Sequence, residues 1–286
     1  MTSKHLTNRA PPMVFQPTGR ASRIDAQCAA FARRLTASVL LAVCLLGLIP
    51  AEITSAGERK FTYVYEATTM AAGEFEYEQW VTWKTHKGTD SSFDRIDFRH
   101  EIEFGVTDHL QVALYFADWR YQDGRSVSDD GAEYRDTAVE LIYNLSDPWE
   151  DFLGSALYGE VKLGDELFEL EGKLILQKNV NLWTAAYNAT IEAEWEGADY
   201  ADDNGKFQQT LGISYQLRPQ LLLGAELLHE IKFPDWSTRD EDVLYLGPNL
   251  SYRHQDWWVT VTPLLQVTDV ASEPDFQLRL IFGFDF

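Results

Sequence analysis

The 286-residue sequence is short of cysteine, with only Cys28 and Cys44. Two cysteines build neither a disulfide framework nor a four-cysteine zinc site. Positive charge is scarce as well. The chain sets 24 Lys+Arg against 45 Asp+Glu, a formal net charge of −21, which excludes a nucleic-acid binder because phosphate contacts need Lys and Arg. No helical periodicity stands out after Gly57. No apolar run reaches the roughly 20 residues that a membrane-spanning helix needs. Aromatic residues, by contrast, are abundant. Nine Trp, 13 Tyr and 16 Phe make 13% of the chain, which argues against disorder. The length allows one or two domains.

The longest apolar run is Leu35 to Ile49, preceded by Arg33 and Arg34 and followed by the small residues Thr54-Ser55-Ala56. A run this short with basic residues in front is the pattern of a secretory signal peptide rather than a membrane anchor. Cleavage is expected after Ala56. Val43 before Cys44 does not fit a lipobox, and Met13 is an alternative start. Residues 1–56 therefore read as an N-terminal extension and signal peptide. They carry six of the basic residues, two of the acidic ones and both cysteines. The 230 residues that remain would be cysteine-free, with 18 basic and 43 acidic side chains and a net charge of −25.

Beyond Gly57 the dominant period is two. In Arg95 to Val106, one phase reads Ile96, Phe98, His100, Ile102, Phe104, Val106, and the other reads Arg95, Asp97, Arg99, Glu101, Glu103, Gly105. Twelve segments of this kind lie near 74–84, 94–106, 110–121, 134–145, 153–163, 167–177, 182–195, 207–217, 221–232, 243–253, 257–267 and 275–286. Strands of about 9–11 residues suit a tilted bilayer crossing, whereas soluble strands average about 5–6. Connections alternate between tight (107–109, 178–181, 218–220, 254–256) and longer acidic ones (85–93, 122–133, 196–206, 233–242), as short periplasmic turns and long outer loops would. Aromatics gather near segment ends, as interfacial girdles require. Lipid offers the backbone no hydrogen-bond partner, so a closed barrel with an apolar outside and a polar inside follows. The expectation is an all-β, antiparallel, up-and-down transmembrane barrel of about twelve strands over residues 74–286, with 57–73 as a short periplasmic segment or one tucked into the barrel mouth.

The last segment places Phe276, Leu278, Leu280, Phe282, Phe284 and Phe286 on one apolar phase. It resembles the assembly signal of Gram-negative outer-membrane barrels, with Phe282, Phe284 and Phe286 as the residues the insertion machinery would read. Gly73 opening a strand with Glu78 and Trp80, the strand-turn Glu103-Phe104-Gly105-Val106-Thr107-Asp108, and the stretch Gly247-Pro248-Asn249-Leu250-Ser251-Tyr252 are loosely similar to a further group. That group is the porin-like outer-membrane family associated with phenol-degradation (MetA-pathway) operons. The resemblance covers most of residues 60–286 and implies an outer-membrane barrel meeting lipid and lipopolysaccharide. It implies no particular chemistry.

The inward phases carry Arg95, Asp97, Arg99, Glu101, Glu103, Glu140, Glu160, Glu169, Glu171, Lys173, Glu192, Glu194, Glu226 and Arg279. An acid-rich aqueous lumen attracts cations, so a passive channel for small solutes with modest cation preference is one expectation. The other is a closed structural barrel whose acidic outer loops meet a partner or a divalent cation. No catalytic or metal site and no cofactor is expected. Of the five histidines after Gly57, only His100 sits mid-strand on the lipid-facing phase, and no serine lies in a lipase-like motif.

Overall fold

The computed structural model describes residues 59–286, apart from 129 and 237. The leader expected at 1–56 lies outside the described residues. Twelve strands follow in order: β1 Phe75–Lys87, β2 Asp90–Thr107, β3 Leu110–Asp123, β4 Gly131–Ser146, β5 Gly154–Gly164 and β6 Leu167–Val180. The second half comprises β7 Trp183–Glu196, β8 Asp202–Arg218, β9 Leu221–Pro234, β10 Asp242–His254, β11 Trp257–Gln266 and β12 Pro274–Asp285. Each pairs antiparallel with its sequence neighbour, and β1 closes on β12 with Tyr77 opposite Phe284 and Trp80 opposite Ile281. Closure removes every sheet edge.

The outer surface explains why the sheet closes. Leu141, Leu157, Leu174, Ile191, Leu211, Ile213 and many similar side chains are exposed around the barrel, an apolar belt far larger than a soluble monomer carries. Aromatic pairs mark both rims: Trp119–Tyr134 and Phe168–Trp195 at one end, Phe75–Phe104 and Trp183–Tyr215 at the other. Phe282, Phe284 and Phe286 face outward. His100 also sits on the outer face, where its Nδ1 meets the Tyr77 hydroxyl at 2.9 Å. Among the described residues no helix is long and apolar enough to cross a membrane.

The strands overrun their expected ends on the outer side. The connection expected at 85–93 is a two-residue turn, because Lys87 still pairs with Asp90. Those expected at 122–133, 196–206 and 233–242 shrink to 124–130, 197–201 and 235–241. Backbone pairing continues past the bilayer, where side chains no longer need to alternate, and only side-chain alternation is visible in a sequence. A second departure is a register shift. Between Tyr115 and Trp119 the pairing of β3 with β4 slips, so the inward phase moves from Gln111, Ala113 and Tyr115 to Asp118 and Arg120. A bulge of this kind re-aims every side chain beyond it.

Candidate functional site

The segment before β1 runs inside the barrel rather than below it. Phe61, Thr62, Tyr63, Val64, Tyr65, Ala67 and Met70 are all buried. Residues 59–73 thus form a strap that crosses the lumen. The strap is irregular, bending at 62–64 and at 67, and along 61–70 it makes no backbone ladder with a strand, so its backbone donors there must be met by side chains. The barrel wall supplies them. Glu226 on β9 accepts the N–H groups of Thr62 at 2.8 Å, Tyr63 at 2.6 Å and Val64 at 3.2 Å. Asn188 on β7 clamps Tyr65 from both sides, accepting its N–H at 2.7 Å and donating to its carbonyl at 3.0 Å. Gln177 on β6 accepts from Ala67 at 2.6 Å, and Gln111 on β3 accepts from Met70 at 2.9 Å. Glu226 is itself held by Asn249 at 3.0 Å and Thr262 at 2.5 Å.

Charge anchors the start of the strap. The Arg59 guanidinium donates to Glu78 at 2.7 Å and Glu103 at 2.7 Å, with Glu101 at 3.8 Å. It stacks over the rings of Tyr65 and Trp80. Glu101, Glu103 and Glu140 bring carboxylate oxygens within 4.8 Å of one another while buried. So many buried carboxylates need a counter-charge, and Arg59 supplies one. Two wall glycines leave room for the strap. A Cβ on Gly212 would lie 2.6 Å from the Phe61 ring, and one on Gly105 would lie 2.0 Å from the Ala71 carbonyl oxygen. Around the strap an aromatic cluster fills that half of the lumen: Trp80, Tyr65, Tyr158 and Trp258 pack with Ile142, Ile175 and Ile281.

Above the strap the lumen widens into a vestibule of about 500 Å³ whose walls reach the outer rim at Lys87, Glu196 and Lys232. Arg95, Asp97, Arg99, Glu169, Glu192, Glu194 and Arg279 line it. Ion pairs knit parts of the wall: Asp97 with Arg95 and Arg120, both at 2.9 Å, and Lys206 with Glu192 at 2.6 Å. Arg99 meets Asp118 at 2.6 Å and Glu160 at 3.4 Å, and Lys162 bridges Glu160 at 2.9 Å to Glu169 at 2.6 Å. Lys173 meets Glu171 at 2.9 Å and caps the rings of Tyr65 and Tyr158.

The fourteen charged residues picked from the inward phases therefore divide between two environments. Seven line the vestibule. Glu101, Glu103, Glu140 and Glu226 are buried against the strap, while Glu160, Glu171 and Lys173 sit in ion pairs at the boundary. The sequence reading missed the strap's own ligands Arg59, Asn188, Gln177 and Gln111, together with the inward Asp118 and Arg120. Gln111, Gln177 and Asn188 do fall on the inward phases, and a search for amide side chains there would have found them. Asp118 and Arg120 are hidden by the bulge. At the outer loops, Glu241 is engaged by Lys232 and Ser272, and Asp242 by His229 and Arg239. Among the described residues, the carboxylate groups close enough to share an ion all lie inside the barrel.

Solved structures share this fold. The COG4313 outer membrane channel from Pseudomonas putida F1 superposes with a TM-score of 0.56 at 13% identity, covering 77% of this chain and 98% of that one. The NanC porin gives 0.50 at 8% identity, covering 74% and 100%. The KdgM porin in complex with disordered oligogalacturonate gives 0.46 at 12% identity, covering 74% and 98%. At such identities the first two likenesses speak for the fold alone. No curated protein matches the sequence. A family model does, over residues 53–165 and 155–273. The chain, a closed twelve-stranded antiparallel barrel of the outer-membrane type, belongs to the family of unknown function DUF6662.

Proposed function

We propose that this protein is a channel of the bacterial outer membrane, held closed at its periplasmic half by its own N-terminal strap. The observation that carries the reading is the pairing of an open, polar vestibule with a floor made of a separate chain segment. A barrel built only as a scaffold has no use for a charged cavity facing outward. A strap held by side chains, without one strand-type ladder bond to the wall along 61–70, can leave without breaking the barrel. The apolar belt and aromatic rims support the membrane location, and the outward Phe282, Phe284 and Phe286 offer an aromatic surface to the assembly machinery.

The cation preference expected from the acid excess belongs, in this reading, to the open state. With the strap in place, the vestibule lining carries ten basic and nine acidic side chains. Departure of the strap removes Arg59 and uncovers Glu78, Glu101, Glu103 and Glu226, so the lower lumen turns strongly acidic and attracts cations. Swelling of liposomes holding the refolded protein tests the channel reading. Deletion of 59–71 is expected to admit small neutral solutes of amino-acid size much faster than the intact chain does. The packed aromatic cluster beneath the vestibule favours a second reading, a permanently closed interaction barrel. Failure of the deleted form to admit any solute would establish that reading instead.

A further inference from the structure

Strand order gives the vestibule a property that its near-balanced charge hides. In a ring of twelve, β12, β1, β2 and β3 stand opposite β6, β7, β8 and β9. The first arc contributes Arg279, Lys84, Lys87, Arg95, Arg99 and Arg120 to the cavity wall, against only Asp97 and Asp118. The facing arc contributes Glu169, Glu192, Glu194, Glu196 and Glu230, against Lys206 and Lys232. One wall is therefore net positive and the opposite wall net negative. Within each wall some charges are spent on neighbours, as in the Asp97 and Lys206 pairs above. Others are not: among the described residues, Lys84 on the positive wall and Glu194 and Glu230 on the negative wall form no ion pair. The Arg279 guanidinium donates to the Thr82 hydroxyl at 3.0 Å and the Thr62 carbonyl at 3.2 Å and lies over the Tyr63 ring, and among the described residues no carboxylate pairs with it.

We propose that the vestibule is a binding site for small zwitterions, solutes of short-peptide size with a carboxylate at one end and an ammonium at the other. The carboxylate takes the Lys84 side and the ammonium takes the Glu194/Glu230 side. A simple anion gains at one wall and is repelled at the other, and a simple cation meets the same cancellation. Only a solute carrying both charges, spaced apart, is favoured at both walls, and low-dielectric surroundings sharpen the difference. The size is appropriate: about 500 Å³ holds roughly 16 waters at ~30 Å³ each, and falls within the range of small-ligand pockets. Few apolar groups line it, so a hydrophobic ligand has little to bury against.

The proposal names the solute class of the channel described above, but binding does not require the strap to open. The test is isothermal titration calorimetry of the full mature chain, folded in detergent, with four peptides: tetra-alanine, its N-acetyl form, its C-amide and the doubly blocked form. Tetra-alanine is expected to bind at least about tenfold more tightly than either singly blocked peptide, since each block removes one charge-assisted contact. Lys84→Met is expected to abolish the advantage of tetra-alanine over the C-amide, with the C-amide itself binding no more weakly than before. Glu194→Gln with Glu230→Gln is expected to abolish the advantage of tetra-alanine over the N-acetyl form. The peptide series on the unaltered protein stands whether or not these variants fold. Equal affinity for all four peptides, or no binding of tetra-alanine up to about 10 mM (a free energy of roughly −3 kcal/mol), overturns the proposal. Conductance without this discrimination leaves the channel reading standing and removes the zwitterion site. Discrimination without conductance in the strap-deleted form does the reverse.

Discussion

Glu226→Gln is the sharpest small change available in the strap. One Glu226 oxygen accepts from Thr62, Asn249 and Thr262, and the other accepts from the backbone N–H groups of Tyr63 and Val64. Glutamine keeps the first oxygen but puts an NH2 where the second stood, so two donors then face two donors. Hydrogen bonds to a charged acceptor are worth about 1.5–3 kcal/mol each. Losing two costs about 3 kcal/mol at the lower end, which raises the open population of the strap roughly 100-fold. Hydrogen exchange followed by mass spectrometry reads this directly. Exchange in 61–67 is expected to quicken by about two orders of magnitude while the β6 and β7 amides hold their protection, because the barrel ladder is not involved. A change of less than about threefold in 61–67 would falsify the claim that wall side chains hold the strap by its backbone. Equal acceleration throughout the barrel would show instead that strap and wall unfold together.

Other consequences are local. Gly212→Leu puts a side chain into the space of the Phe61 ring, so the strap should be displaced and Arg59 and Lys60 should become cleavable by trypsin; a strap as resistant as before would refute the close fit. Val139→Lys, about midway along β4 between the exposed aromatics Tyr134 and Tyr143, should destabilise the barrel in lipid by about 2–4 kcal/mol, measured by urea unfolding in liposomes; a cost near zero would mean that this face does not meet hydrocarbon. At the outer loops, burial tends to raise the Glu241 carboxyl, but donation from Ser272 and Lys232 outweighs it and holds the group near pH 2. Its folded value lies below its unfolded one, so its contribution is fully present above about pH 4.5 and is lost as pH falls through about 2. Exchange in loop 267–273 should therefore stay slow at pH 4 and rise below pH 3, and Glu241→Gln should abolish that acid step.

Strand number, pairing order and facing were legible because lipid forces alternation on every crossing. Glu101, Glu140 and Glu226 could be assigned inward from parity alone. Three things were not legible. The outer strand ends carry no alternation, so Lys87 pairing with Asp90 left no mark in the sequence. The bulge after Tyr115 inverts parity, which hid Asp118 and Arg120. The strap followed neither rule. Phe61, Tyr63 and Tyr65 alternate like a strand, yet their backbone is met by Glu226 and Asn188 side chains rather than by a neighbouring strand. The inward aromatics Trp80, Tyr158 and Trp258 were equally opaque, because a periodic pattern gives the direction of a side chain and not what fills the space it enters. The acid excess, read as lining for water, serves in part to bind a chain segment.

Single-channel recording in planar bilayers, with the intact chain and the 59–71 deletion side by side, tests closure by the strap most directly. The intact chain should show rare, brief openings. The deletion should show sustained steps of uniform size, with a reversal potential in a salt gradient displaced toward that of the cation. Equal conductance from the two forms, or silence from both, would contradict the account.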